Sequence, residues 1–258
     1  MKLKGRAAII TGGGRGIGRA IALAFAREGA DVAINYRRDK DAAQATAAEI
    51  AAMGRKALAV QCDVTDYDGA VKMAAQAAEA FGKLDILINN AGIVSRGNTL
   101  ADTPVEEMRQ VVDTHLFGGF YFSKACIPYI RKNPRGDIHF LSSASPHMAP
   151  PKHGPYAAAK IAMEKMAEVM AKEEREHNIR VSSIACGVVA TEMGKRLVRH
   201  TLGGDLSALG SKFPFGRVCQ PEDVANLCLF LCSEQGSYIS GHTIFLDGSD
   251  TIGVAKEE

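Results

Sequence analysis

The stretch that decides the fold is Thr11 to Gly18, which reads TGGGRGIG. It follows an apolar run that ends at Ile10 and precedes a helical pattern from Arg19 to Glu28, so strand, glycine turn and helix stand in the order of a dinucleotide-binding unit. Glycines let the backbone turn tightly and let a pyrophosphate approach the amides and the dipole at a helix N-terminus. The T-G-x-x-x-G-x-G spacing is wider than the common G-x-G-x-x-G pattern, and on this feature alone a tight turn without a ligand remains the alternative.

Short apolar runs and longer helical patterns alternate along the rest of the chain. Seven strands are predicted, at Arg6–Thr11, Asp31–Tyr36, Lys56–Gln61, Leu84–Asn89, Asp137–Ser142, Ile179–Ile184 and Gly241–Leu246. Helix starts are expected at Thr103-Pro104-Val105-Glu106, with Thr103 as the cap, and at Gln220-Pro221-Glu222. The order predicts an α/β protein: a single-domain Rossmann fold over residues 1–258, with a doubly wound seven-stranded parallel sheet and helices on both faces.

One connection is longer than the others. Residues 187–216 break the alternation with several glycines and a mixed apolar and basic content. Long connections in compact domains are usually functional, so we predict a substrate-binding lid here, with a surface insertion without a role as the alternative.

The composition argues against several classes of protein. The 258 residues are 47% hydrophobic and carry a formal net charge of +2 with no basic stripe, which disfavours a nucleic-acid partner. The first apolar run, Ala7 to Ile10, is far too short for an export signal or a membrane span. The six cysteines form no C-x-x-C pair and lie near no histidine cluster, so we expect reduced thiols, no metal site and a cytoplasmic protein.

Charges near the expected cleft favour NADP(H) over NAD(H). A carboxylate at the end of the second strand would accept from a ribose 2′-hydroxyl, whereas arginine accommodates a 2′-phosphate. Here that strand ends Asn35-Tyr36-Arg37-Arg38, and Arg15 lies inside the glycine turn. Arginines at loop tips are often only solvated charges, so NAD(H) stays the alternative.

Tyr156 and Lys160 form a Tyr-x-x-x-Lys pair on one face of a predicted helix. A phenol has a pKa of about 10 and needs a nearby cation to act as an acid or base at neutral pH, and Lys160 supplies one. Alone, the pair would be an ordinary surface contact. However, Ser142-Ser143 and the Asn89–Gly92 turn each end a strand, and the carboxyl ends of strands form the ligand crevice of such a sheet.

Four elements in this order and spacing are similar to those of the short-chain dehydrogenase/reductase family, namely Thr11–Gly18, Asn89–Gly92, Ser143 and Tyr156–Lys160. The resemblance extends from Lys4 to about Ser249, and the pattern looks most like the branch that holds 3-oxoacyl-thioester reductases and sugar dehydrogenases such as glucose dehydrogenase. It implies hydride transfer between a nicotinamide and a ketone or secondary alcohol, with a 3-oxoacyl-type or small carbonyl substrate. The cofactor carries the hydride chemistry, and the protein positions it and supplies the proton.

The resemblance also implies a role for each matching residue. Tyr156 would be the general acid or base, and Lys160 would hold the nicotinamide ribose and lower the pKa of Tyr156. Ser143 would hydrogen-bond the substrate oxygen, with Ser142 and Ser145 as alternatives. The residues expected to contact the cofactor are Gly12, Gly14, Arg15, Gly16, Ile17, Gly18, Asn35, Tyr36, Arg37, Asp63, Val64, Asn89, Ala91, Gly92, Tyr156, Lys160, Val189 and Thr191.

Two departures from the family pattern affect these expectations. His115 stands where the family has an asparagine thought to hold a proton-relay water. Because histidine can also bond a carbonyl and a water, we keep His115 in the catalytic set and expect altered rather than lost activity. Ser182 and Cys186 replace an asparagine and a proline, which predicts a less rigid loop after strand six.

Other functions remain open at this point. One is an NAD(P)-dependent sugar, alcohol or steroid dehydrogenase working oxidatively; another is a cofactor-binding sensor without turnover, which His115 favours and the intact Ser143, Tyr156 and Lys160 disfavour. The resemblance implies a homotetramer or a homodimer built by helices around Thr103–Lys132 and Pro155–His177 and by the last strand. Candidate pocket residues are Ser95, Ser145, Met148, His153, Val188, Met193, Phe213 and Phe215.

Overall fold

A computed structural model describes residues 1–201, 206 and 213–249. Within these residues lie seven strands: β1 Ala7–Ile10, β2 Asp31–Tyr36, β3 Ala57–Gln61, β4 Ile86–Asn89, β5 Gly136–Ser143, β6 Ile179–Cys186 and β7 Thr243–Leu246. They pair in parallel in one sheet with the order β3-β2-β1-β4-β5-β6-β7. The predicted fold class and strands are confirmed, and the strand ends differ from the predicted ends by two residues at most.

Helices cover both faces of this sheet. They are α1 Gly16–Arg27, α2 Lys40–Ala52, α3 Tyr67–Phe81, α4 Val105–Val112, α5 Gly118–Ile130, α6 Ser145–Met148, α7 Gly154–Glu174, α8 Glu192–Thr201 and α9 Pro221–Cys232. A π-helical turn, Asp113–Phe117, joins α4 to α5, and short 3-10 turns lie at Arg175–His177, Pro214–Gly216 and Glu234–Gly236. Among the described helices, none has both the length and the apolar content needed to cross a membrane.

The alternation of side chains along β1 produces two apolar cores. Ala8 and Ile10 pack with α1, α2 and α9 on one face, whereas Ala7 and Ile9 pack with α3, α5 and α7 on the other. Successive residues of a strand point to opposite faces, so a strand buried on both sides has a continuous apolar sequence. This is why short uninterrupted apolar runs located the strands.

The two predicted helix starts have different outcomes. At α9 the prediction is confirmed, because Gln220 caps the helix and Asp223 completes a capping box with it. At α4 it is wrong: the helix begins at Val105, Pro104 occupies the cap position, and no side chain caps the helix. The Thr103 hydroxyl donates instead to the Thr99 carbonyl at 2.7 Å, so the preceding turn already engages the group that was expected to cap.

The predicted lid is only partly described, because residues 202–205 and 207–212 lie outside the described residues. Its first part contains α8, which starts just after Thr191. Val198, Leu206 and Val218 form a small apolar cluster separate from the two cores, and Val189 bridges to Cys219. The lid therefore stays a prediction; within the described residues, Val189 of this segment packs in one of the two main cores.

Candidate active site

The glycine turn is fixed to the neighbouring strands by polar side chains. The Thr11 hydroxyl accepts from the backbone amides of Asn90 at 2.8 Å and Ala91 at 2.9 Å, and so joins the end of β1 to the turn after β4. The Asn35 amide accepts from Gly12 N at 2.6 Å and donates to the Cys62 carbonyl at 2.7 Å. Because its side chain is satisfied within the protein, Asn35 supports the turn rather than offering its amide to a ligand. Thr11 and Asn90, which sequence reasoning left out, have the same supporting role.

Two glycines show why this sequence is needed here. Gly12 has a φ of +67°, in the left-handed region that L side chains rarely adopt. A Cβ on Gly18 would lie 2.4 Å from the Gly12 carbonyl oxygen, so only glycine lets α1 approach the turn this closely. The cap residue of α1, Arg15, makes no side-chain capping bond, so its side chain leaves the first amides of the helix free to meet an anion.

The turn borders a groove of about 660 Å³. Most of the predicted cofactor residues line it: Gly12, Gly14, Arg15, Gly16, Ile17, Gly18, Asn35, Tyr36, Arg37, Asp63, Val64, Ala91, Gly92 and Thr191. Asn89 does not line the groove: it is buried, and its side chain donates to the Ser123 hydroxyl at 3.2 Å. Val189 and Tyr156 line the neighbouring pocket instead, and Lys160 lines neither cavity.

One corner of the groove is basic. Arg15, Arg37 and Arg38 are exposed along it, and Arg37 lies 3.7 Å from Asp63. A carboxylate, Asp39, is also present, but its side chain accepts from the Ala42 amide at the start of α2. Three guanidiniums therefore line this corner; Arg37 pairs with Asp63, and the Asp39 carboxylate caps α2.

A second cavity of about 110 Å³ adjoins the groove, and Ile17, Val94, Thr191 and Met193 line both. Ser143 and Tyr156 form its wall, together with Ser142 and Cys186. Of the candidate pocket residues, Ser95, Ser145, His153, Val188 and Met193 line this cavity, whereas Met148 does not and Phe215 is exposed. Ser95 also accepts from the Tyr156 amide at 3.1 Å, and Ser145 and His153 form a hydrogen-bonded pair.

Tyr156 and Lys160 lie on the first two turns of α7, with the Lys160 Nζ 5.6 Å from the centroid of the Tyr156 ring. Lys160 is buried and donates to the Leu141 carbonyl. Burial lowers the pKa of this amine to about 8, although the Cys186 thiol and the Glu164 carboxylate oppose the shift. The pair and Ser143 thus meet at the carboxyl ends of β5 and β6, as the spacing predicts.

The expected lowering of the Tyr156 pKa is not found. Burial raises the pKa of the phenol to about 12, and a hydrogen bond with Ser143 offsets the rise only in part. Lys160, whose ammonium donates to the Leu141 carbonyl, does not offset this rise. Tyr156 is therefore protonated at neutral pH.

His115 occupies the middle of the π-helical turn and is buried against Tyr156. Its Nε2 lies 2.7 Å from the Ile93 carbonyl oxygen and 3.2 Å from the Ile93 amide, while its Nδ1 has no hydrogen-bond partner among the described residues. Burial and the charge of Lys160 lower its pKa to about 3, so the ring is neutral. The structure places His115 in a packing and positioning contact with Tyr156, and its catalytic role stays a prediction.

The substitutions after strand six lie inside the sheet rather than in a loop. β6 continues through Cys186, whose carbonyl accepts from Ala144 N at 2.8 Å, and Gly187 N donates to Leu246 O at 3.0 Å. Ser182 is buried within the same strand. These bonds hold the residues where the sequence predicted a less rigid loop.

A second polar cluster lies at the opposite, amino edge of the sheet. Asp137, His139 and Cys232 converge there closely enough to suggest metal ligands. However, Arg6 donates to Asp137 at 2.6 Å and to the Cys232 carbonyl at 2.8 Å, Arg180 pairs with the same carboxylate, and Arg135 lies 3.6 Å away. Three guanidiniums around one carboxylate would repel a cation, so this cluster is a buried ion-pair network.

Comparison with known proteins agrees with this geometry. A family model described as enoyl-(acyl carrier protein) reductase matches residues 12–249. The 3-oxoacyl-(acyl-carrier-protein) reductase FabG of Staphylococcus aureus is 35% identical over 244 residues, which cover 94% of this chain and 97% of the relative. The L-rhamnose 1-dehydrogenase (NAD(P)(+)) of a Sphingomonas species is 33% identical over 247 residues, covering 95% and 96%.

A solved structure is similar to this chain at about the same level of sequence identity as these two relatives. The short chain dehydrogenase of Burkholderia cenocepacia in complex with NADP has a TM-score of 0.88 and 32% identity, with 96% of this chain and 98% of that chain covered. The family model, the relatives and the solved structure each span nearly the whole chain. The chain therefore belongs to the short-chain dehydrogenase/reductase family of oxidoreductases.

Proposed function

We propose that the protein is an NADP(H)-dependent reductase of a ketone, of the 3-oxoacyl type or another small carbonyl compound, and that it oxidises the corresponding secondary alcohol in reverse. The observation that carries the proposal is the wall of the second cavity, where Tyr156 and Ser143 line one cavity beside the groove of the glycine turn and Ser143 lies close enough to lower the pKa of the phenol. Two adjacent hydroxyls at such a junction can bind one carbonyl oxygen while its carbon faces the groove.

The groove fits a nicotinamide dinucleotide. Gly12, Gly16 and Gly18 bring backbone close to the uncapped amides of α1, which suits a pyrophosphate. Arg15, Arg37 and Arg38 would hold the 2′-phosphate of NADP(H), although Arg37 also lies 3.7 Å from Asp63. The Burkholderia structure contains NADP, and the rhamnose dehydrogenase carries both cofactors in its name.

Tyr156, Ser143 and Lys160 have different roles in the proposed reaction. When bound, the dinucleotide supplies the hydride that the carbonyl carbon receives. Tyr156 donates its hydroxyl proton to the carbonyl oxygen, and its raised pKa keeps that proton available at neutral pH. Ser143 orients the oxygen, and the buried ammonium of Lys160 stabilises the phenolate that remains on Tyr156.

Consumption of NADPH over a panel of ketones tests this function. We expect faster turnover with NADPH than with NADH on at least one 3-oxoacyl thioester or small ketone. A clear preference for NADH would refute the cofactor assignment, and binding of NADPH without turnover of any carbonyl would indicate a sensor.

An oxidative sugar or alcohol dehydrogenase is the second candidate. The rhamnose dehydrogenase is nearly as similar to this chain as the 3-oxoacyl reductase is, which favours no one substrate class. Initial rates measured in both directions with matched alcohol and ketone pairs distinguish the two: faster oxidation of a sugar at neutral pH would favour the second candidate.

Two further features support proposals made from the sequence. Exposed apolar side chains lie on α4, the π-helical turn, α5, α7 and β7, which favours a homodimer or homotetramer through these elements; they are Val105, Phe117, Phe120, Ile161, Val169 and Phe245. Thr191 and Met193, at the start of α8, line both cavities and support a lid around residues 187–216. Sedimentation velocity with and without NADPH tests the assembly.

A further inference from the structure

A carboxylate lies one helical turn beyond the catalytic lysine. Tyr156, Lys160 and Glu164 are spaced at i, i+4 and i+8 along α7 and therefore share one face of the helix. Glu164 is only 5% exposed, and a carboxylate at such a position is costly unless it is hydrogen-bonded or paired. The hydrogen bonds of Glu164 must therefore offset the cost of burying its charge.

The Glu164 carboxylate accepts hydrogen bonds from side chains of three different elements. The Ser142 hydroxyl of β5 bonds to Oε1, while His147 Nε2 of α6 lies 2.9 Å from Oε2 and the Thr243 hydroxyl of β7 lies 3.4 Å from it. An ionised carboxylate accepts hydrogen bonds and cannot donate them, and each of these three partners can donate. The arrangement is therefore that of a buried anion, held in place from three sides.

Lys160 needs a nearby anion because its ammonium is buried. The titratable groups that interact electrostatically with it are the Cys186 thiol of β6, the Glu164 carboxylate on its own helix, and His115 of the π-helical turn. The ring of His115 is neutral, and burial raises the pKa of the Cys186 thiol to about 12, so that group is also uncharged at neutral pH. Among these described groups, Glu164 is therefore the one whose negative charge favours the protonated form of Lys160.

We propose that Glu164 is a positioning residue that keeps Lys160 protonated, and that His147, which is partly exposed at the edge of the sheet, fixes the Glu164 carboxylate for this purpose. The use of the ammonium in catalysis rests on the proposed function. The charge of Lys160 does not, and it can be measured without substrate.

A direct titration of Lys160 tests the proposal. Protein labelled with 13C at the lysine Cε carbons is titrated by NMR, and the Lys160 signal is assigned as the one missing from Lys160→Arg. We expect Glu164→Gln to lower the Lys160 midpoint by at least about one pH unit, a tenfold change in its acid dissociation constant, because the nearby negative charge is gone. Glu164→Asp keeps the charge and should restore most of the midpoint.

Glu174 provides a matched control on the same helix. It is also a buried carboxylate, but it pairs with Arg131 at 2.6 Å and is ten residues away from Glu164. Glu174→Gln should leave the Lys160 midpoint unchanged. A shift of the same size in both variants would mean that any buried charge on α7 has this effect and would overturn the proposal.

The outcomes separate this proposal from the proposed function. A folded Glu164→Gln protein with the wild-type midpoint overturns the proposal even if the enzyme reduces ketones. If that variant does not fold, His147→Gln decides: a smaller fall in the midpoint supports the proposal and an unchanged midpoint overturns it. Absence of turnover in the wild type would refute the proposed function and leave the titration result standing.

Discussion

The His115 imidazole and the Tyr156 ring form a T-shaped contact, with ring centroids 5.3 Å apart and ring planes at 88° to each other. The imidazole also meets Gly92, where a Cβ would lie only 2.4 Å from His115 Cε1. The histidine therefore fills the space between the turn after β4 and the phenol, and it requires glycine at position 92.

Replacement of Gly92 by alanine should destabilise the protein. The added methyl group would collide with the buried ring, and overpacking of this kind costs about 1–3 kcal/mol. Chemical denaturation of Gly92→Ala measures the loss. The double variant Gly92→Ala, His115→Asn should recover much of it, since asparagine has no atom at the place of Cε1; additive losses in the double variant would contradict this packing argument.

Removal of the phenol oxygen should abolish turnover without weakening cofactor binding. Tyr156→Phe keeps the ring and its contact with His115 but has no proton to donate, so kcat should fall by at least about a hundredfold. The dissociation constant of NADPH, measured by fluorescence titration, should be nearly unchanged. Ser143→Ala is expected to lose less activity, because it only orients the oxygen. Near-normal turnover by Tyr156→Phe would exclude Tyr156 as the proton donor.

The stability of the protein should depend on pH through Lys160. Burial lowers the pKa of this lysine to about 8 in the folded protein, against about 10.4 in an unfolded chain. Below pH 8 both states are protonated and the buried ammonium destabilises the fold. Between about pH 8 and pH 10 the folded state has lost the proton and the unfolded state still binds it, so stability rises with pH on account of this group.

Comparison with Lys160→Met isolates this contribution. The variant should be more stable than the wild type at pH 7, by up to about 3 kcal/mol, and the difference should shrink as the pH rises to 10. Lys165→Met, which changes an exposed lysine of the same helix, provides the control. A difference that stays constant between pH 7 and pH 10 would show that Lys160 is not titrating in this range.

The basic corner of the groove should decide the choice of cofactor. Arg38→Ala removes a cation that faces the groove, and we expect the KM for NADPH to rise about tenfold or more while the KM for NADH stays nearly constant. Arg19→Ala is the control, because Arg19 is also a surface arginine close to the turn but pairs with Glu49 at 2.7 Å and does not line the groove. Equal changes for both cofactors would count against a 2′-phosphate site.

The sequence predicted those parts of the structure that depend on local pattern. Apolar runs located the strands, because both faces of the sheet are covered, and the Tyr156 and Lys160 spacing placed them on one helix face. The pKa of Tyr156 could not be predicted in this way. It depends on the burial of the phenol.

Side-chain partners explain the other differences. The hydroxyl of Thr103 was expected at a helix start, but it bonds to the preceding turn. Asn35 was expected to contact the cofactor and does line the groove, but its side-chain amide supports the glycine turn. Glu164 was not singled out, although its position four residues after Lys160 on the same helix was a readable signal.

The Arg6 guanidinium joins parts of the chain that the ribosome makes far apart in time. Its acceptors are Asp137, 131 positions later, and the carbonyl of Cys232, 226 positions later. Contacts across such separations close large loops, which costs conformational entropy. A nascent chain therefore cannot complete this corner until α9 has left the exit tunnel, and a chain interrupted before Cys232 would have to hold Arg6 without one of its acceptors.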